Sequence, residues 1–174
     1  MRCLEGPVDY NFSMIQCFAQ DPEFAKHLHA WFRTLAVQES LMAANRHKER
    51  YNANNDVFVH VRLDDASAWN PGYAFYDRAI TESGATSGYI SSDSPDHPIV
   101  QGLIARHNLQ LVEADEVETL MLASTCRHIV LSHGTFSWIM GALGLFSTVY
   151  VAPKPTVAWC GDIFVIDSWK IISA

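Results

Sequence analysis

The chain has 174 residues, 49% of them apolar and 18% charged, with a formal net charge of -7. That composition builds one ordinary domain with a real core and excludes a disordered chain. It also excludes a general nucleic-acid surface, which is basic overall, so an anionic ligand must be held by a local device.

Met1 to Tyr10 contains no apolar stretch of signal-peptide length. The longest greasy run, Trp138 to Ala152, is shorter than a membrane span and is interrupted by glycines and a Ser-Thr pair. It reads as a buried helix followed by a buried strand, and a complete chain of this kind is expected in the cytoplasm. The cysteines Cys3, Cys17, Cys126 and Cys160 are scattered, with no C-x-x-C, so free thiols are expected and zinc is not.

Residues 11–50 read as helical. Phe24, Leu28, Trp31, Phe32, Leu35 and Leu41 recur at helical spacing behind Pro22. Asn52 to Asp56 is a turn cluster, and beyond it the pattern changes. A strand is predicted over 57–62, then a helix opened by Pro71 and running to about Ser83. A second strand covers Ser87 to Asp93, a second helix "DHPIVQGLIARHN", and a short third strand "LQLVE". The helix "DEVETLMLAST" carries acidic residues in its first turn, where the helix dipole favours them. The strand "HIVLS", the wholly apolar helix "TFSWIMGALGLF" and the strand "TVYVA" complete the series.

Strict alternation with short connections predicts a parallel sheet of about five strands covered on both faces, a Rossmann-like three-layer α/β lobe. The division expected is a helical segment over 1–54 and the α/β domain over 55–174. In open sheets of this type ligands bind at the carboxyl ends of the strands.

Three strand ends carry the chemistry. The first is "VFVHVRLDD", which delivers His60, Arg62, Asp64 and Asp65. The second ends in "SSDSPD" with Asp93. The third runs into Ser132, His133, Gly134, Thr135, Phe136 and Ser137 just as a helix starts. A helix N-terminus offers unpaired N–H groups and a partial positive charge, and Gly134 lets backbone approach an anion closely. Neither a Walker loop nor the G-x-G-x-x-G of dinucleotide enzymes is present, which argues against a dehydrogenase. Arg62 offers a planar fork for phosphate oxygens, and equally an ion pair with Asp64 or Asp65. His60 suits a ribose or base edge, or a core position satisfied by backbone. Ser132 and Thr135 are also ordinary helix caps. The acidic stretch Glu113 to Glu118 reads as a solvated first turn or as a ribose contact.

These residues resemble a known family. "VHVRLDD" is similar to the H-x-R-x-G-D motif of the α-1,2- and α-1,6-fucosyltransferase superfamily. "GYISSD" is similar to its middle motif, a strand ending in S-D-D, and "CRHIVLSHGTFSWIMGALG" to its later motif. "GPVDYNF" and "WCGDIFVIDSWKII" add fainter likenesses to related glycosyltransferases. The resemblance spans roughly residues 55 to 172. It implies the C-terminal half of a GT-B type glycosyltransferase, the nucleotide-sugar-binding lobe, with GDP-fucose as donor and no metal or further cofactor.

On that resemblance Arg62 holds the β-phosphate, His60 lies near the nucleoside, and Asp93 with Ser132, Gly134, Thr135, Phe136 and Ser137 completes the donor site. Arg62 and Asp65 are then the catalytic candidates. The sequence departs from the motifs where their Gly is Asp64, a frequent second Arg is Leu63, the second Asp is Ser94 and the second Trp is Ile139. The glycine-rich signature of an acceptor lobe is absent. The expected function is transfer of a sugar from a nucleoside-diphosphate sugar to a glycan hydroxyl, with the acceptor side supplied elsewhere. The alternative is a non-catalytic nucleotide-sugar-binding or interaction module, or a truncated relative.

Overall fold

A computed structural model describes residues 21–154 and 162–173. Cys3, Cys17 and Cys160, the helical expectation for residues 11–20, the "GPVDYNF" likeness and most of "WCGD" lie outside the described residues.

The expected alternation is present. Helices α1 (Pro22–Phe32) and α2 (Leu35–Ala44) lead into β1 (Val57–Val61), α3 (Tyr73–Ser83), β2 (Gly88–Ser92), α4 (Pro98–His107) and β3 (Leu109–Leu111). The chain continues through α5 (Glu116–Thr125), β4 (His128–Leu131), α6 (Thr135–Leu143), β5 (Thr148–Val151) and β6 (Lys170–Ile171). The sheet is parallel throughout, in the order β3-β2-β1-β4-β5-β6. The fold is thus the Rossmann-like α/β lobe that the alternation predicts, with six strands among the described residues rather than about five. The sixth, β6, is two residues long and carries no hydrophobic run of its own.

Local signals account for the helix starts. Pro22 and Pro98 sit in the first turns of α1 and α4, where a missing N–H costs nothing. Asp21 and Asp115 cap α1 and α5 by accepting from the amides of Phe24 and Glu118. The helical stretch predicted across 21–50 is broken at Arg33 and Thr34. The Thr34 hydroxyl donates to the Trp31 carbonyl at 2.8 Å, satisfying a helix-end acceptor. The Arg33 guanidinium reaches the carbonyls of Ala142 and Gly144 at the end of α6. That long-range tether sets α1 against α6, and a further single 3₁₀ turn forms at Lys48–Arg50.

Strand alternation divides the core in two. Val57, Val59 and Val61 of β1, with Ile90 and Val130, pack under Phe75, Tyr76, Ala79, Val100 and Leu103 of α3 and α4. Phe58, Ile129, Leu131, Val149 and Val151 face the other way, against Ala25 of α1, Ala123 of α5, Trp138, Met140 and Ala142 of α6, and Trp169. Every residue of β1 is buried, as two-sided burial requires. Close approach is built in at Gly88, where a Cβ would lie 2.1 Å from the Val57 carbonyl oxygen. Gly141 is similar, with a Cβ position 2.7 Å from a Leu131 methyl and 2.9 Å from the Trp169 ring.

Among the described residues no helix is long and apolar enough to cross a membrane. Cys126 is a buried free thiol, its pKa pushed up to about 12 by burial.

Candidate functional site

The strand order places the site. The chain leaves β1 through α3 toward β2 on one side, whereas α5 carries it from β3 across to β4 on the other. Loops at the carboxyl ends of β1 and β4 therefore diverge and leave a crevice between them, the switch point of an open α/β sheet.

A cleft of about 270 Å³ occupies that point, lined by His60, Arg62, Asp65, Ala66, Trp69, His133, Gly134, Thr135, Phe136 and Ser137. Seven of the nine site residues that the resemblance implies thus share one cavity, namely His60, Arg62, Asp65, Gly134, Thr135, Phe136 and Ser137, and His133 joins them. Asp93 and Ser132 do not line it.

His60 reaches the cleft because it alternates with Phe58 on the α6 face of β1. Its carbonyl accepts from the Ser132 amide at 3.1 Å, extending the β1–β4 pairing to the strand ends. Its Nδ1 lies 2.6 Å from the hydroxyl of fully buried Ser137, and its ring meets Phe136 edge-on. Burial lowers its pKa to about 4, against a smaller upward pull from Asp93, so the ring is neutral at neutral pH.

Gly134 has φ of 118°, a backbone state open to glycine and strained for other residues. It is the N-cap of α6 and has no side chain with which to cap it, while its carbonyl accepts from Trp138 at 3.0 Å. The first turn of α6 therefore faces the cleft across bare backbone. Beside it His133, its pKa lowered by burial, stands edge-on to Phe164.

Arg62 is half-exposed. Both its Nε and its Nη2 donate to one oxygen of Asp65, at 3.2 and 2.6 Å, and Nε lies 3.3 Å from Asp93. Asp93 is engaged from a second direction. Its two oxygens accept the amides of Leu63 and Asp64 at 2.9 and 3.2 Å, and Ser92 donates to it from the adjoining position. The carboxylate at the end of β2 thus holds the turn that leaves β1. The Asp64 side chain is exposed.

Residues that the sequence did not single out complete the support. Asn70 donates to the Arg62 carbonyl at 2.7 Å and to the Tyr76 hydroxyl at 3.0 Å, while its own oxygen accepts the Gly72 amide. Burial pushes the pKa of the Tyr76 hydroxyl upward, against smaller downward pulls from Ser132 and Asn70. The Asn70-Pro71-Gly72 run signals a turn in the sequence, but nothing local signals its reach to Arg62. Trp69, on a 3₁₀ turn at Ser67–Trp69, supplies an aromatic wall that no motif announced.

The stretch Glu113 to Glu118 lies away from the cleft. Asp115 caps α5 and Glu118 pairs with His47 and Arg46. Among the described residues no group of three or more His, Cys, Asp or Glu side chains is placed to hold a metal ion.

No family model matches the sequence, and no curated protein matches it. Among solved structures the fold is similar to that of E. coli heptosyltransferase WaaC with ADP-2-deoxy-2-fluoro heptose, a GT-B glycosyltransferase. The TM-score is 0.50 and the sequence identity 10%. The match covers 79% of this chain and 41% of that one, so the chain spans less than half of the solved enzyme's length. At that identity the likeness is one of fold.

Proposed function

We propose that this chain is the donor-binding lobe of a glycosyltransferase and that its cleft takes a nucleoside-diphosphate sugar. The observation that carries the reading is the meeting of Arg62 with the Gly134-led first turn of α6 in one switch-point cleft. An arginine fork and a helix N-terminus lining the same cleft suit a diphosphate, and a metal is not needed for such a contact. The aromatic faces of Trp69 and Phe136 suit the flat or apolar part of the same ligand.

In the reaction proposed, the bond between the sugar's anomeric carbon and the β-phosphate oxygen breaks, and negative charge grows on the departing diphosphate. Arg62 and the α6 amides lie where that charge develops. A glycan hydroxyl attacks the anomeric carbon and gives up its proton to a base. Asp65, bound to Arg62, serves as the resting counter-ion of the arginine rather than as that base.

Guanine as the base and fucose as the sugar rest on the motif resemblance of "VHVRLDD", "GYISSD" and the α6 segment. The glycan acceptor would be bound by a second lobe or a partner chain. The test is a thermal-shift panel of GDP, UDP, ADP and their sugars. A ligand at about 100 times its dissociation constant stabilises by roughly 2.7 kcal/mol, which such a panel resolves. Preference for GDP or a GDP-sugar is expected. Preference for UDP or ADP would replace guanine and leave the nucleotide-sugar reading standing, while indifference to every member would end it. Donor binding without turnover, after an acceptor lobe is supplied, favours the second reading of a non-catalytic binding module.

A further inference from the structure

We infer that Asp65 is an internal competitor for the ligand's diphosphate: it occupies the phosphate-binding edge of Arg62 and is displaced when a ligand enters. The inference rests on the cleft being a diphosphate site.

The guanidinium edge formed by Nε and Nη2 is the one that binds an oxyanion side-on through two parallel N–H bonds. In this structure both of those N–H groups converge on a single Asp65 oxygen, at 3.2 and 2.6 Å. A carboxylate therefore stands where a phosphate oxygen would stand, within the cleft that Arg62 and Asp65 both line. The two acidic partners of Arg62 differ in kind. The Asp93 side chain is 19% exposed and is locked by the amides of Leu63 and Asp64. The Asp65 side chain is 74% exposed, and among the described residues its hydrogen bonds come from Arg62. Rotating Asp65 into water leaves no buried group stranded, whereas moving Asp93 would orphan two backbone donors. Asp93 is thus the fixed support of the arginine and Asp65 its exchangeable occupant.

Asp65 consequently lowers affinity twice: its bond to Arg62 must be broken, and its charge repels the incoming phosphates. It also keeps the arginine in its bidentate pose while the cleft is empty.

The test compares the 174-residue chain with its Asp65→Asn and Asp64→Asn variants by titration calorimetry against GDP, pyrophosphate and guanosine. Asp64→Asn removes the same charge one residue away and controls for net charge. Asp65→Asn is expected to tighten GDP and pyrophosphate by about two- to fivefold, the range an exposed ion pair spans, with a steeper loss of affinity in high salt. Guanosine, which carries no phosphate, should bind all three chains alike. Equal or weaker GDP and pyrophosphate binding by Asp65→Asn overturns the inference and makes Asp65 a positioning residue for Arg62. Equal tightening by Asp64→Asn overturns it in favour of a general charge effect. If no chain binds either phosphate compound, the diphosphate reading of the cleft has failed, and the inference falls with it.

Discussion

His60 makes the stability of this lobe sensitive to acid. In the unfolded chain its imidazole titrates near the ordinary 6.5, and in the fold burial lowers that value to about 4. Between those values the unfolded chain binds more protons than the folded one, so stability rises with pH. The contribution is whole above the unfolded value and is lost as the pH falls through 6.5 toward 4. A separation of about 2.5 units corresponds to roughly 3 kcal/mol in full, of which about 2 kcal/mol is lost between about pH 7.5 and pH 5. His29, His128 and His133 are also lowered by burial and add to the slope in the same direction. The share of His60 is therefore read as a difference. Urea unfolding of the natural chain and of His60→Gln, at about pH 7.5 and about pH 5, should show the variant losing roughly 2 kcal/mol less on acidification. A glutamine can still bond the Ser137 hydroxyl, which protects the fold at neutral pH. NMR titration of the His60 ring is the independent check. Equal losses in the two chains, or a ring that titrates near 6.5 in the folded protein, would refute the buried neutral histidine.

Arg62→Ala should weaken nucleotide-sugar binding by roughly 1.5–3 kcal/mol, the loss of a charge-assisted contact. Its unliganded melting temperature should hardly move, because Asp65 is exposed and Asp93 keeps two amide donors. A collapsed melt with unchanged affinity would make the arginine structural. Asp93→Ala is expected to behave the other way, losing about 2 kcal/mol of folding stability in denaturant as the Leu63 and Asp64 amides lose their acceptor. Gly88→Ala should abolish stable folding, since its Cβ would sit 2.1 Å from a backbone oxygen that cannot give way. Gly72→Ala, with φ of 85° and no atom within 4 Å, should cost only about 1–2 kcal/mol of backbone strain in the same assay.

Features that depend on neighbours within a few positions were legible from the residues alone. The spacing of apolar residues placed the first strand over 57–62, where β1 covers Val57–Val61, and α3 to α6 to within three residues at either end, because helix and strand periods are local. Proline at 22 and the acidic residues in the first turn of α5 marked helix starts for the same reason. Alternation then implied the parallel sheet, and the sheet implied that His60, Arg62 and the 132–137 loop meet at one edge.

Features that depend on partners far along the chain emerge only in the fold. β6 is two residues bonded to β5 about 20 positions earlier, too short to leave a periodic signature. The break at Thr34 shows its purpose only in Arg33 reaching Ala142 and Gly144. Asp93 belongs to the turn after β1 because β1 and β2 are neighbours, which brings Leu63 and Asp64 to a carboxylate about 30 residues away. His60 and Ser137, 77 residues apart, meet through the β1–β4 pairing that carries α6 over the sheet. Asp64 and Asp65 looked equivalent as partners for Arg62, and only the path of the turn gave the arginine to Asp65. Hydrogen bonds and ion pairs act over a few ångströms of space, and it is the order of the strands, not the order of the residues, that fixes which side chains fall within that reach.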